Sequence, residues 1–180
     1  MRTLHETIVQ QQNDLVEPLN PKKHKNRKAF DCGVAPLNRF LRESANQSSK
    51  RHASRTYVVV DPEDDTLVAG YYTLTTTSVR PEDMGSMMLK RYPGLDSSGL
   101  IARLAVDENY HGQGLGEYLL VSAIRRLILL SNGLGFPVII VDPKDGVATF
   151  YEKYGFQRFD SEEERMFLTI KDAIAAFDNV

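Results

Sequence analysis

Apolar residues recur along the chain with two periods, and these divide it into elements. Leu100, Ile101, Ala102, Leu104, Ala105 and Val106 form a nearly unbroken apolar run, the pattern of a strand covered on both faces. After the polar turn Asp107 to Tyr110, the residues Leu115, Tyr118, Leu119, Ser122, Ala123, Ile124, Leu127 and Ile128 recur three and four apart. That spacing predicts an amphipathic helix, which Asn132 to Gly135 closes. Upstream, Leu15 to Leu19 predicts a short strand, and Pro36 opens a helix whose stripe is Leu37, Phe40, Leu41 and Ala45. Arg55 to Val60 and Leu67 to Val79, joined by Asp61-Pro62-Glu63-Asp64-Asp65, predict an antiparallel hairpin. Downstream, Val138 to Val141 predicts a buried strand parallel to the Leu100 strand, if the helix between them is a right-handed crossover. Gly146 to Tyr154 predicts a helix ended by Gly155-Phe156, and strands are expected near Gln157 to Asp160 and Arg165 to Ile170. The stretch Arg80 to Ser98, punctuated by Pro81, Gly85, Pro93 and Gly94, reads as a long loop with one helical turn at Met84 to Leu89; loops of that length are often functional.

Length and charge refine this picture. The 180 residues suit one domain over 16–180, with a polar, loose N-terminus over 1–15. No apolar run approaches 18 residues and the N-terminus is not signal-like, so no membrane association and a cytoplasmic location are expected. The single cysteine, Cys32, forms no internal disulfide and fits a reducing compartment; without a His or Asp signature around it, it reads as structural. Net charge is −2 but unevenly spread: residues 1–60 carry 11 Lys and Arg against 5 Asp and Glu, the rest 11 against 19. The block Pro21-Lys22-Lys23-His24-Lys25-Asn26-Arg27-Lys28 is either a solvated loop or a surface for an anionic partner. His5, His24, His52 and His111 are scattered without Cys or acidic partners at ligand spacing, so no metal site is expected.

Between the apolar strand and the long helix stands His111-Gly112-Gln113-Gly114-Leu115-Gly116. Glycines here allow φ > 0 and close approach of a ligand, while first-turn amides and the helix dipole favour an anion. The glycines alone fit a plain strand-to-helix turn as well. No Lys-Ser or Lys-Thr follows Gly116, which excludes a Walker A loop. Counting from Gly112, the sixth position is Glu117, which excludes the dinucleotide fingerprint. The stretch resembles the pyrophosphate loop of the GNAT superfamily of acyl-CoA N-acetyltransferases, with His111 where an Arg or Gln usually stands.

Ala148-Thr149-Phe150-Tyr151-Glu152-Lys153-Tyr154-Gly155-Phe156 is similar to the signature that closes the GNAT acceptor site, and Tyr151 matches its catalytic tyrosine. A phenol can protonate a departing CoA thiolate; the alternative is Tyr151 as a core aromatic. Further segments are similar to GNAT toxins of bacterial toxin–antitoxin modules: Phe30-Asp31-Cys32-Gly33, Leu37-Asn38, Phe40-Leu41, Ser54-Arg55-Thr56-Tyr57-Val58, and Ile101-Ala102-Arg103-Leu104-Ala105-Val106-Asp107 joined to the glycine loop. The likeness covers most of residues 16–170. It implies an α/β (α+β) GNAT fold: a central mixed, mostly antiparallel sheet flanked by helices, with a parallel strand pair splayed around acetyl-CoA. It also implies acetyl transfer from acetyl-CoA to the α-amino group of aminoacyl-tRNA, a ribbon-helix-helix antitoxin, and a homodimer.

The residues make that chemistry plausible. An α-amino group needs no strong base, because its reference pKa is about 7.7–8.0. Backbone amides of Leu104, Ala105 and Val106 are expected on the pantetheine and thioester, and those of His111, Gly112, Gln113, Gly114, Leu115 and Gly116 on the diphosphate. Lys22, Lys23, Lys25, Arg27, Lys28, Lys50 and Arg51 would lie along tRNA phosphates. Arg103 either meets the tRNA terminus or forms an ion pair flanking the sheet. Two other functions compete: acetylation of a protein N-terminus or small amine, and a non-catalytic CoA- or RNA-binding module.

Overall fold

The computed structural model describes residues 15–144, 146–160 and 164–177; the loose segment expected over 1–15 lies almost wholly outside them. Seven strands form one sheet in the order β1-β2-β3-β4-β5-β7-β6: β1 (Glu17–Pro18), β2 (Arg55–Val60), β3 (Val68–Ser78), β4 (Ser97–Val106), β5 (Val138–Val141), β6 (Gln157–Arg158) and β7 (Met166–Thr169). β2 pairs antiparallel with β1 and β3, and β7 antiparallel with β5 and β6. β4 and β5 run parallel, as the crossover rule requires. The sheet is therefore mixed and mostly antiparallel, as expected of a GNAT fold.

The helices are α1 (Ala35–Arg39, Phe40–Ser44 and Ala45–Lys50), α2 (Ser86–Arg91), α3 (Leu115–Leu134), α4 (Ala148–Glu152) and α5 (Ile170–Phe177). The middle of α1, Phe40–Ser44, is a π-helical turn. Leu115, Leu119, Ala123, Ile124, Leu127 and Ile128 of α3 are all buried, so the periodic stripe is the face that packs.

Three expectations need correction. The Arg80 to Ser98 stretch is not a loop with a single turn: it holds a 3-10 turn, Pro81–Met84, and then α2. The chain after Ile170, expected to end a strand, instead turns into α5, capped where Thr169 Oγ1 accepts the Asp172 amide at 3.0 Å. The helix around Tyr151 is shorter than Gly146 to Tyr154, spanning Ala148–Glu152.

The chain divides into two compact units, one reaching to Leu74 with Arg103–Ala123, the other Thr75–Ala102 with 124 onward. In the first, Phe30, Phe40, Leu41, Ala45, Val58, Val68, Tyr71 and Ala105 form one core cluster. In the second, Val79, Met84, Met88, Val138, Ile140, Phe159 and Phe167 do so. All four residues of β5, Val-Ile-Ile-Val, are buried, which explains why it reads as an unbroken apolar run.

Candidate active site

In the first unit, the end of β4 is fixed before the glycine loop begins. Asp107, 5% exposed, accepts the Asn109 amide at 3.0 Å on Oδ1 and the Asp31 amide at 2.9 Å on Oδ2. The Asn109 side-chain amide adds a bond of 2.8 Å, and the Glu108 amide donates to the Asp31 carbonyl at 2.8 Å. Tyr110 donates its hydroxyl to Asp61 on the β2–β3 turn. Burial, and then this bond, raise the Tyr110 phenol above its ordinary pKa. Burial pushes the Asp61 carboxyl up, but bonds from Tyr110 and the Glu63 and Asp64 amides bring it below its usual range.

Past this brace the backbone turns left-handed twice, at Gly112 (φ +72°) and Gly114 (φ +78°). A Cβ at either glycine would meet nothing within 4 Å, so conformation rather than crowding selects glycine there. Gly116 differs from the expectation of a third left-handed glycine: it lies inside α3, and its Cβ position faces Val106 Cγ2 at 3.8 Å. The Gly114 carbonyl accepts the Tyr118 amide at 3.0 Å. The first-turn amides that follow, from Leu115 to Glu117, therefore have no carbonyl one turn earlier within the helix. His111 is exposed, and its Nε2 donates to the Val106 carbonyl at 2.8 Å and ties the loop to the strand end. Gln113 donates to the Asn109 carbonyl at 3.2 Å.

β4 carries a second feature. Its pairing with β5 runs from Gly99 to Ile101, and β5 ends at Val141, the partner of Ile101. Among the described residues the ladder with β5 thus stops at Ile101, before Leu104, Ala105 and Val106.

The basic residues are disposed unequally. Lys22, Lys25, Lys28, Lys50 and Arg51 are exposed. Lys23 is engaged within the chain, its Nζ 2.6 Å from Glu17 and 3.9 Å from Asp65. The Glu17 hydrogen bond holds its ammonium above the ordinary value. Arg27 is turned inward, Nη1 donating to the His24 carbonyl at 3.3 Å, with Nε buried and unpartnered among the described residues. His24, read as one member of the basic block, is fully buried: Nδ1 accepts the Asn20 amide at 3.0 Å and Nε2 donates to Glu17 at 2.9 Å. A histidine in a lysine run gives no sequence signal for that role.

Of the two readings of Arg103, the ion pair flanking the sheet is not formed among the described residues. Its guanidinium carbon stands 3.7 Å from the centroid of the Phe40 ring, and no carboxylate among the described residues pairs with it. Phe40, read as part of a helical stripe and of the Phe40-Leu41 segment, is thus the ring on which Arg103 rests.

In the second unit, Tyr151 is 8% exposed on α4, with Phe150 and Phe156 edge-on at 5.2 and 5.7 Å. Burial pushes its phenol up to about 12, so it stays protonated at neutral pH. Its hydroxyl has no protein hydrogen-bond partner among the described residues. Tyr154 stacks on Phe177 at 6.4 Å. No three His, Cys, Asp or Glu side chains among the described residues converge as metal ligands would. No helix among them is long and apolar enough to cross a membrane.

The chain is related to proteins already known. The family model described as Acetyltransferase (GNAT) domain matches residues 54–158. The chain is 31% identical over 166 residues to a probable toxin TacT of Sinorhizobium fredii, covering 87% of this chain and 91% of that one. It is 30% identical over 148 residues to a tRNA-acetylating toxin of Mycobacterium tuberculosis, covering 82% of this chain and 87% of that one. Its structure is similar to AtaT complexed with acetyl-methionyl-tRNAfMet, with TM-score 0.82 and 26% identity over 90% of this chain and 98% of that one. It is also similar to a tyrosine-to-phenylalanine mutant of AtaT bound to the C-terminus of the antitoxin AtaR and acetyl-CoA, with TM-score 0.75 and 25% identity over 90% and 96% of the chains.

Proposed function

The chain belongs to the GNAT acetyltransferase family, and on that premise we propose that it is a toxin that moves acetyl from acetyl-CoA to the α-amino group of aminoacyl-tRNA, blocking translation. One observation carries the donor half of this reading: two left-handed glycines deliver the first-turn amides of a 20-residue helix to an open surface. Such a turn fits a diphosphate, since amides and dipole there favour negative charge. The acceptor half is supported by relatives and neighbours that acetylate tRNA or hold an acetylated one.

When bound, acetyl-CoA supplies an activated acetyl group as a thioester. We assign the diphosphate to the backbone of 112–116, with His111 bracing the loop rather than touching phosphate. Amides of β4 beyond its ladder with β5, Leu104 to Val106, hydrogen-bond the pantetheine and polarise the thioester carbonyl. The neutral α-amine attacks that carbonyl, a C–N bond forms as the C–S bond breaks, and Tyr151 gives its proton to the sulfur. The amine's surplus proton leaves to water and water returns a proton to the Tyr151 phenolate, so no carboxylate dyad is required.

Lys22, Lys25, Lys28, Lys50 and Arg51 are assigned to tRNA phosphates; Lys23 and Arg27, engaged within the chain, are set aside. The inhibitory partner is an antitoxin, which we take to be of the ribbon-helix-helix class. The enzyme is read as a homodimer and as cytoplasmic. That Lys23 and Arg27 are engaged within the chain favours a second reading, acetylation of a protein N-terminus or small amine.

Incubating the protein with labelled acetyl-CoA and a panel of charged tRNAs is expected to place label on the RNA fraction. Label confined to peptides or polyamines would establish the second reading instead. The KM for charged tRNA should rise steeply with salt. Changing Lys25 or Lys28 to glutamine should lower the slope of log KM against log salt by about one for each phosphate no longer neutralised. An unchanged slope would remove that lysine from the RNA surface.

A further inference from the structure

Side chains alternate across a strand, so Arg103 and Ala105 share one face of β4 and Leu104 and Val106 the other. Ala105 is buried in the aromatic core with Phe40 and Tyr71, whereas Val106 faces Gly116 of α3. Arg103 therefore projects on the side of the sheet opposite the helix whose first turn takes the diphosphate. A cation there stands away from the first turn of α3.

The ring beneath Arg103 is held firmly. Phe40 is 9% exposed and stacks on Tyr71 at 6.3 Å, and Tyr71 donates its hydroxyl to the Leu37 carbonyl at 2.9 Å. Phe40 opens the π-helical turn of α1, a feature often found at functional sites. Within the same turn Arg42 donates to the Phe30 carbonyl, at 3.1 Å from Nε. A guanidinium set over a ring spends its face on the π cloud and keeps its in-plane N–H donors for oxygen acceptors.

We propose that Phe40 is a positioning residue for the acceptor: delivered by the π-helical turn, its ring holds Arg103 ready to bind the phosphate or ribose oxygens of the acceptor's 3′ nucleotide. This rests on aminoacyl-tRNA being the acceptor. An arginine stacked beforehand loses less side-chain freedom on binding, so the benefit appears in acceptor affinity.

The test is steady-state transfer with each substrate varied in turn, on Phe40→Leu, Phe40→Tyr, Arg103→Met and the Phe40→Leu, Arg103→Met double variant. Phe40→Leu is expected to raise KM for charged tRNA about fivefold, about 1 kcal/mol, with KM for acetyl-CoA and kcat unchanged. Phe40→Tyr should restore the wild-type value, and Phe40→Leu should add nothing once Arg103 is methionine. A KM for tRNA that does not move, moves together with that for acetyl-CoA, or rises equally in both Arg103 backgrounds overturns the proposal. Should Phe40→Leu lose acetyl-CoA binding by calorimetry, Arg103→Lys takes its place, since it keeps charge but not the flat face; the same KM split is expected, and its absence overturns the proposal. A wild-type enzyme that acetylates no charged tRNA would instead overturn the acceptor assignment itself, an outcome visible before any variant is made.

Discussion

Tyr151→Phe is expected to lower kcat by about 10²–10³-fold while leaving the Kd for acetyl-CoA within about twofold. The phenylalanine keeps the ring that meets Phe150 and Phe156 edge-on and removes only the hydroxyl, so fold and donor binding should persist. Burial pushes this phenol up to about 12, whereas an exposed tyrosine titrates near 10. A raised pKa keeps the proton in place across the neutral range, so Tyr151 acts as an acid there, and its loss limits the rate only as pH climbs toward 12. The rising limb of kcat/KM at lower pH should instead track the acceptor amine, near pH 7.7–8.0 or below. Rapid-quench measurement of a single turnover, alongside calorimetric binding, checks both halves. An undiminished rate would leave Tyr151 as a packing residue.

Gly114→Val is expected to weaken acetyl-CoA binding by about 10–100-fold. Position 114 has φ +78° and its carbonyl accepts the first bond of α3. A β-branched residue is strained there by about 1–3 kcal/mol, and relief requires the turn to unwind. Space is not the obstacle, because a Cβ would meet nothing within 4 Å. The effect should therefore appear as misdirected amides rather than as a disrupted core. Calorimetric titration with acetyl-CoA measures the affinity, and thermal unfolding of the same variant separates the two costs. Equal affinity in the variant would mean that the loop's shape is irrelevant to the donor.

Much of this was legible in the chain because it is local. The apolar run at Val138 to Val141 announces a strand covered on both faces, and the α3 stripe announces its buried side. The run at Leu100 to Val106 announces a strand too, but one of which only Ile101 and Ala105 are buried. The glycine spacing points to an anion turn. What escaped depends on distant partners. α2 is preceded by Gly85, whose Cβ position would stand 2.6 Å from the Asp160 side chain, and the Asp160 amide donates to the Asp83 carbonyl at 3.0 Å. Residues some seventy-five positions on thus shape that segment, and no local pattern reveals them. α5 is a different matter: Thr169-Ile170-Lys171-Asp172 is a capping sequence ahead of Ala173, Ile174 and Phe177, and the preceding strand pattern masked it. At the site, Arg103 was visible but its Phe40 platform was not, since a π-helical turn has no sequence signature. The same holds for Lys23 and Arg27, which look like their exposed neighbours until their intramolecular partners are known.

The tethers from Asp107 to Asp31 and from Tyr110 to Asp61 bear on how tightly a modest loop can hold its ligand. A receptor that must first find its competent shape has its apparent affinity divided by the fraction of molecules already in that shape. Two acidic anchors tie the shoulder of the turn to neighbouring segments as the chain folds, which raises that fraction. More of the intrinsic strength of a few amide contacts then reaches the ligand.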